Sequence, residues 1–117
     1  MNQIFKSFNT NGTIRDIEAE VIAFVNDNQI NPLSLGLTNK PEGGFLAVLG
    51  YDKSKFTSIE FKVARSGGVE TDAELFEAHL NQDEKNTELE TGETIICHAL
   101  TFDDEEVLNI VMMLEAK

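Results

Sequence analysis

Apolar and polar residues follow two rhythms along this chain, and the rhythms come in the same order twice. Ile4, Lys6 and Phe8 alternate with Gln3, Phe5 and Ser7, a period of two that predicts a strand over Ile4–Phe8. Asn9-Thr10-Asn11-Gly12 is dense in turn formers and ends it. The period then lengthens. Ile14, Ile17, Val21, Phe24 and Val25 fall on one helical stripe, and Arg15, Asp16, Glu18 and Glu20 take the other side. Thr13 stands where a helix is capped, and Asp16 three residues later suits the positive end of the helix. Asn26-Asp27-Asn28 and Asn31-Pro32 close the helix, because proline biases its predecessor out of the helical region.

A hairpin follows. Leu33, Leu35 and Leu37 alternate with Ser34, Gly36 and Thr38, Asn39–Gly44 is a turn, and Phe45–Tyr51 is the returning strand. Asp52-Lys53-Ser54-Lys55 makes a second turn, and Phe56–Ala64 is the next strand. Ser66-Gly67-Gly68 breaks it. A second helix is expected near Asp72–Asn81, Gln82–Glu93 reads as a charged loop, and Thr94–Thr101 with Val107–Ala116 forms a last hairpin around Asp103-Asp104-Glu105-Glu106.

The order strand, helix, strand, strand therefore occurs over residues 4–51 and again over 60–116. Particular residues align. Phe5-Lys6 and Gly12 match Phe61-Lys62 and Gly68 at an offset of 56. Ile14, Val21, Phe24 and Val25 fall on Val69, Phe76, His79 and Leu80 at 55, and Leu37-Thr38 and Val48 match Leu100-Thr101 and Val111 at 63. An insertion of about seven residues in the polar stretch Gln82–Glu93 accounts for the drift. A chain of 117 residues is one domain by length, so the two units are expected to share a single α+β domain.

Three strands are apolar on both faces: Phe45–Tyr51, Thr94–Thr101 and Val107–Ala116. A strand with one wet face should alternate. Two helices of this length cover one face of a sheet of about six strands, so the other face needs a barrel closure or a second copy, most simply a two-fold dimer packed sheet to sheet. With its helices on one face, such a chain resembles the ferredoxin-like fold, and within it the dimeric α+β barrel proteins. The resemblance is carried by Ile4–Phe8, Ile14–Val25, the hairpin Leu33–Tyr51, Asp72–Leu80 and Thr94–Thr101. The duplicated unit also resembles the paired strand-helix-strand-strand modules of bacterial effector-binding domains of the gyrase-inhibitor type. That likeness implies a small molecule held in a groove between the modules.

Charge changes the picture next. Residues 70–106 hold thirteen Asp or Glu against Lys85 alone, so the whole formal charge of −12 sits in one third of the chain. Such a surface repels nucleic acid and anionic membrane. It suits a basic partner, could mimic a phosphate backbone, or serves as a solvated face that keeps the protein soluble. No apolar run is long enough to span a bilayer, and the N-terminus lacks the charged and apolar regions of a signal peptide. With one cysteine, Cys97, there is no intrachain disulfide, and a cytoplasmic location is expected.

Candidate chemistry is sparse. Cys97 and His98 are adjacent on a strand and point to opposite faces, so they cannot serve one nucleophile or one metal. Cys97 reads as a small core residue. His98, between Ile96 and Leu100, is either a hydrogen-bonded core histidine or a cavity-lining acid or base, the candidate catalytic residue. His79, on the inward stripe of the second helix, and Tyr51, at the end of a central strand, are candidate ligand-binding residues. Arg65 is a third, since it leads into Gly67-Gly68 and a helix N-terminus where an anion could bind. The histidine spacing gives no metal motif, no cofactor is implied, and the acidic turn Asp103–Glu106 lacks calcium-loop spacing and reads as solvated. The residues therefore support a homodimer that binds a small molecule beside the sheet. By the barrel resemblance it would be monooxygenase-like or isomerase-like, with His98 as acid or base and Tyr51 or His79 orienting the substrate. The alternative is an acidic interaction module or DNA mimic that docks a basic partner through residues 70–106.

Overall fold

The computed structural model describes residues 3–66, 72–81 and 94–116. Their element order is β1 (Ile4–Thr10), α1 (Ile14–Asn28), β2 (Asn31–Asn39), β3 (Phe45–Asp52), β4 (Ile59–Arg65), α2 (Asp72–Leu80), β5 (Ile95–Phe102) and β6 (Leu108–Glu115). The protein is thus α+β, with strand-helix-strand-strand stated twice. Each unit makes its own three-stranded antiparallel sheet, in the orders β1-β3-β2 and β4-β6-β5. Two sheets stand where the face pattern led us to expect one sheet of about six strands with both helices on one side. The expected loop Gln82–Glu93 and the glycine pair Gly67-Gly68 lie outside the described residues.

Some boundaries moved for local reasons. Helix α1 runs through Asn28 and ends where Gln29 turns left-handed, with φ 52°, so the closing residue is Gln29 rather than the Asn-Asp-Asn run. Pro32 lies inside β2, opposite Tyr51, and the ladder shifts register between Pro32 and Ser34. Proline is tolerated in strands at such irregularities. Strand β4 starts at Ile59 rather than Phe56, because Thr57 donates its backbone N–H to Ile30 O at 3.1 Å and is tied to the first unit.

The main core lies between the units. Ile17, Val21 and Val25 of α1 are buried, the two valines completely, against Phe8, Leu35, Phe45, Ala47 and Leu49 of the first sheet and Ile59, Val111 and Met113 of the second. Burial of each such side chain contributes roughly 1.5–3 kcal/mol. Phe24 joins from the edge, with T-shaped ring contacts to Phe8 (5.8 Å) and Tyr51 (5.4 Å). A second, smaller core forms where Phe76 of α2 meets Ala64, Ile110, Met112 and Leu114. Strand β6 is apolar on both faces because Val111 and Met113 enter the first core and Ile110, Met112 and Leu114 the second. The chain itself covers both faces of this strand, without a second copy.

Among the described residues the first sheet is covered on one side only. Its outward rows are Phe5–Gly50–Ser34, Ser7–Val48–Gly36 and Asn9–Leu46–Thr38. They hold no charged residue. Phe5 is 64 % exposed, Val48 41 % and Leu46 38 %.

The two hairpins meet at one end of the molecule. The β2–β3 turn places Gly43 at φ 100° and Gly44 at φ 85°, and the Gly44 N–H and Asn39 Nδ2 donate to Asp104 Oδ1 of the β5–β6 turn, at 3.2 and 2.7 Å. A side chain at Gly44 would run into the Thr10 carbonyl oxygen. Gly44→Ala is therefore expected to cost about 1–3 kcal/mol in urea unfolding, from the left-handed backbone strain and the displaced turn.

Candidate functional site

Beside the paired turns lies a groove of about 650 Å³, open along one side. One wall is the first turn of α1, with Thr13, Ile14, Arg15 and Glu18, and the start of β3 at Phe45. The other is the inner face of the second sheet, with Phe61, Val63 and Arg65 of β4, Asn109 of β6, and Asp103 to Glu105 of the β5–β6 turn. Each wall belongs to a different unit, so neither unit makes the groove alone.

Local chemistry sets the walls. The Thr13 N–H donates to Asp16 Oδ2 at 2.8 Å, which fixes where α1 begins and so places Ile14, Arg15 and Glu18. In the facing turn Asp103 accepts five hydrogen bonds. The backbone N–H groups of Glu105 and Val107 reach Oδ1 at 2.9 and 3.0 Å, and Arg65 Nε, Arg65 Nη2 and Asn109 Nδ2 reach Oδ2 at 3.2, 2.9 and 2.9 Å. Glu106 completes the turn in the left-handed region, at φ 63°. Two of the four carboxylates of this acidic turn, Asp103 and Asp104, are thus structural acceptors. This corrects the reading of the turn as merely solvated.

The groove's polar groups are largely matched. Desolvation would raise the Asp103 carboxyl, but hydrogen bonds from Asn109, Val107, Glu105 and Arg65 outweigh it and hold the group below its ordinary value. Arg65 is paired with Asp103 and lies 3.7 Å from Glu105. Its guanidinium is neutralised rather than offered to an anion. Burial raises Glu18 above its ordinary value, and the neighbouring Arg15 offsets part of the rise. Asn109 is 2 % exposed and lines the groove. Both its donors are committed, to Asp103 and to Val107 O at 2.8 Å.

The candidate residues read from the sequence are scattered. Arg65 lines the groove. Tyr51 is buried in the main core against Phe24, His79 is buried on α2, and His98 is exposed on β5 opposite Met112. His98 is therefore not a core residue in the single chain, and it does not line this groove. Cys97 is half-buried, its thiol pushed up to about 11 by burial, with a hydrogen bond to the Leu35 backbone offsetting part of the shift. A thiol of that kind is protonated at neutral pH and a poor nucleophile. Among the described residues no three His, Cys, Asp or Glu side chains cluster in a way that could hold a metal ion, and no helix is long and apolar enough to cross a membrane. Of the acidic segment 70–106, residues 70–71 and 82–93 lie outside the described residues.

Asn109 and Glu18 were not singled out by sequence as site residues, and Asp103 appeared there only as part of a solvated acidic turn. The available signal was Asp103 at the head of a turn, where aspartate accepts backbone N–H groups two residues on. No family model matches the chain, nor does any curated protein or solved structure.

Asp103→Asn should lower stability at neutral pH by roughly 2 kcal/mol, the scale of lost charge-assisted hydrogen bonds. The folded-state carboxyl is depressed, so its contribution is fully present above the unfolded value of about 3.9 and is lost as pH falls through the lower folded value. Urea unfolding of both proteins should show a gap that is constant near neutrality and closes in acid.

Proposed function

We propose that this protein binds a small molecule in the groove between its two units. The carrying observation is the groove itself, in which four apolar side chains, Ile14, Phe45, Phe61 and Val63, lie among a larger set of polar and charged ones. Clefts of this size are the usual seats of small ligands, and the mixed lining suits one with both apolar and polar parts. A cleft walled by two strand-helix-strand-strand units supports the reading as tandem effector-binding modules over a sheet-face cavity at His98. The ferredoxin-like reading remains compatible with the unit's strand order, and no residue of the groove requires an oxygenase or isomerase step. The test is a fragment screen followed by amide chemical-shift mapping. Ligands should shift Ile14, Phe45 and Val63 and leave the His98 region unmoved, and Val63→Arg should abolish binding. A broad apolar panel without any shift in the groove would overturn the reading.

A homodimer is a second proposal, favoured by a separate observation. The outer face of the first sheet carries exposed Phe5, Leu46 and Val48 without a charge in its three rows. Its counterpart in the second unit, with Phe61, Val63 and Val111, packs against the main core. Two copies of a chain with a net charge of −12 repel, and an uncharged apolar face lets them meet without opposing carboxylates. Light scattering should give a dimer for the parent protein and a monomer for Val48→Lys with unchanged circular dichroism. A monomeric parent would remove this proposal and leave the groove reading untouched.

A further inference from the structure

We infer that Asn109 selects the groove's ligand by its hydrogen-bonding polarity, admitting an apolar ring or chain that carries an N–H or O–H donor over its isostere without one. The inference rests on the groove reading and deepens it. At an isolated amide, oxygen and nitrogen are interchangeable in shape, so polarity must come from the neighbours. Here the neighbours decide it. Two acceptors, Asp103 Oδ2 at 2.9 Å and Val107 O at 2.8 Å, take the two protons of Nδ2. A flipped amide would set oxygen against both. The side chain therefore presents Oδ1 as its remaining polar atom, and that oxygen accepts no hydrogen bond among the described residues.

Water in the open groove can donate to this acceptor in the free protein, so a ligand that displaces the water and brings no donor leaves a buried acceptor unpaired. Asn109 is 2 % exposed, yet it lines the groove beside Phe45, Phe61 and Val63. A donor on an apolar ligand would satisfy it without the ligand leaving these apolar side chains. The rim adds a second filter. Four carboxylates, Glu18, Asp103, Asp104 and Glu105, line the groove against three cations, Arg15, Lys62 and Arg65, so a carboxylate ligand meets more negative than positive charge. Arg15 sits beside Glu18 and offsets part of its charge. The ligand class is thus a compact uncharged or cationic molecule with an aromatic or aliphatic body and at least one N–H or O–H.

Asp103 is the positioning residue in this arrangement. It touches no ligand in the proposal and acts by fixing which end of the Asn109 amide faces the groove. A site built around a buried polar partner discriminates strongly against the analogue that cannot pair with it.

The experiment uses matched probes: indole against 1-methylindole and benzofuran, and phenol against anisole, each titrated into the full chain and followed by amide and side-chain amide chemical shifts. The donor-bearing member of each pair should bind about tenfold tighter, the scale of one buried hydrogen bond, and should move the Asn109 side-chain resonances. In Asp103→Asn, checked for folding by circular dichroism, the ratio of affinities within each pair should shrink toward parity, whatever the absolute affinities become. Equal affinity within both pairs, with shifts still mapping to the groove, would overturn the role of Asn109 and leave the groove reading standing. No groove shift from any probe or from a broad apolar panel would overturn both.

Discussion

Helix α1 is the piece on which the rest depends. A helix carrying Ile17, Val21 and Val25 on one stripe can satisfy only one face, yet this stripe is shared. It packs on the inner side of the first sheet and shares one core with Ile59, Val111 and Met113 of the second, while β2 lies against β5 and joins the units along a second seam. Apolar burial is non-directional, so one stripe can hold two sheets if they close around it. The two units are bound into one core without a backbone ladder between their sheets among the described residues.

The same arrangement creates the groove. At the first turn of α1 a gap is left between the units, walled by Ile14 and Phe45 on one side and Phe61 and Val63 on the other. The hairpin turns pin its end through Asp104, which takes donors from Gly44 and Asn39 of the other unit. Asp103, one residue earlier, ties its own turn to Arg65 and Asn109. Adjacent carboxylates thus divide the labour: one joins the units, and the other shapes the wall of the cleft. The surplus of acid in this chain is partly architectural.

Pseudo-repetition explains the asymmetry of the surface. Phe5 and Val48 occupy the places of Phe61 and Val111 in the second unit. One pair is bare and the other is packed against the main core. The helices differ too. α1 has 15 residues and α2 has 9, and α2 serves the smaller cluster around Met112. Two copies of one pattern have settled into different roles because only one side of the second sheet was needed to close the first.

The sequence by itself determined the order of elements, the repeat, and the face of α1 that would be buried. Each is a local property written in a period of two or of 3.6, or in turn residues such as Asn39–Gly44. It also showed that β6 is greasy on both sides. It could not say what covers them, because periodicity reports which face avoids water and not which neighbour excludes it. Tertiary structure decided that α2 and the α1 core share the task, that there are two sheets and not one, and that His98 lies outside while Asn109 lies in a wall. The site was hidden for the same reason. Arg65, Asp103 and Asn109 are spread over three elements, and only the closing of the second sheet over α1 brings them to the groove with Ile14 and Glu18.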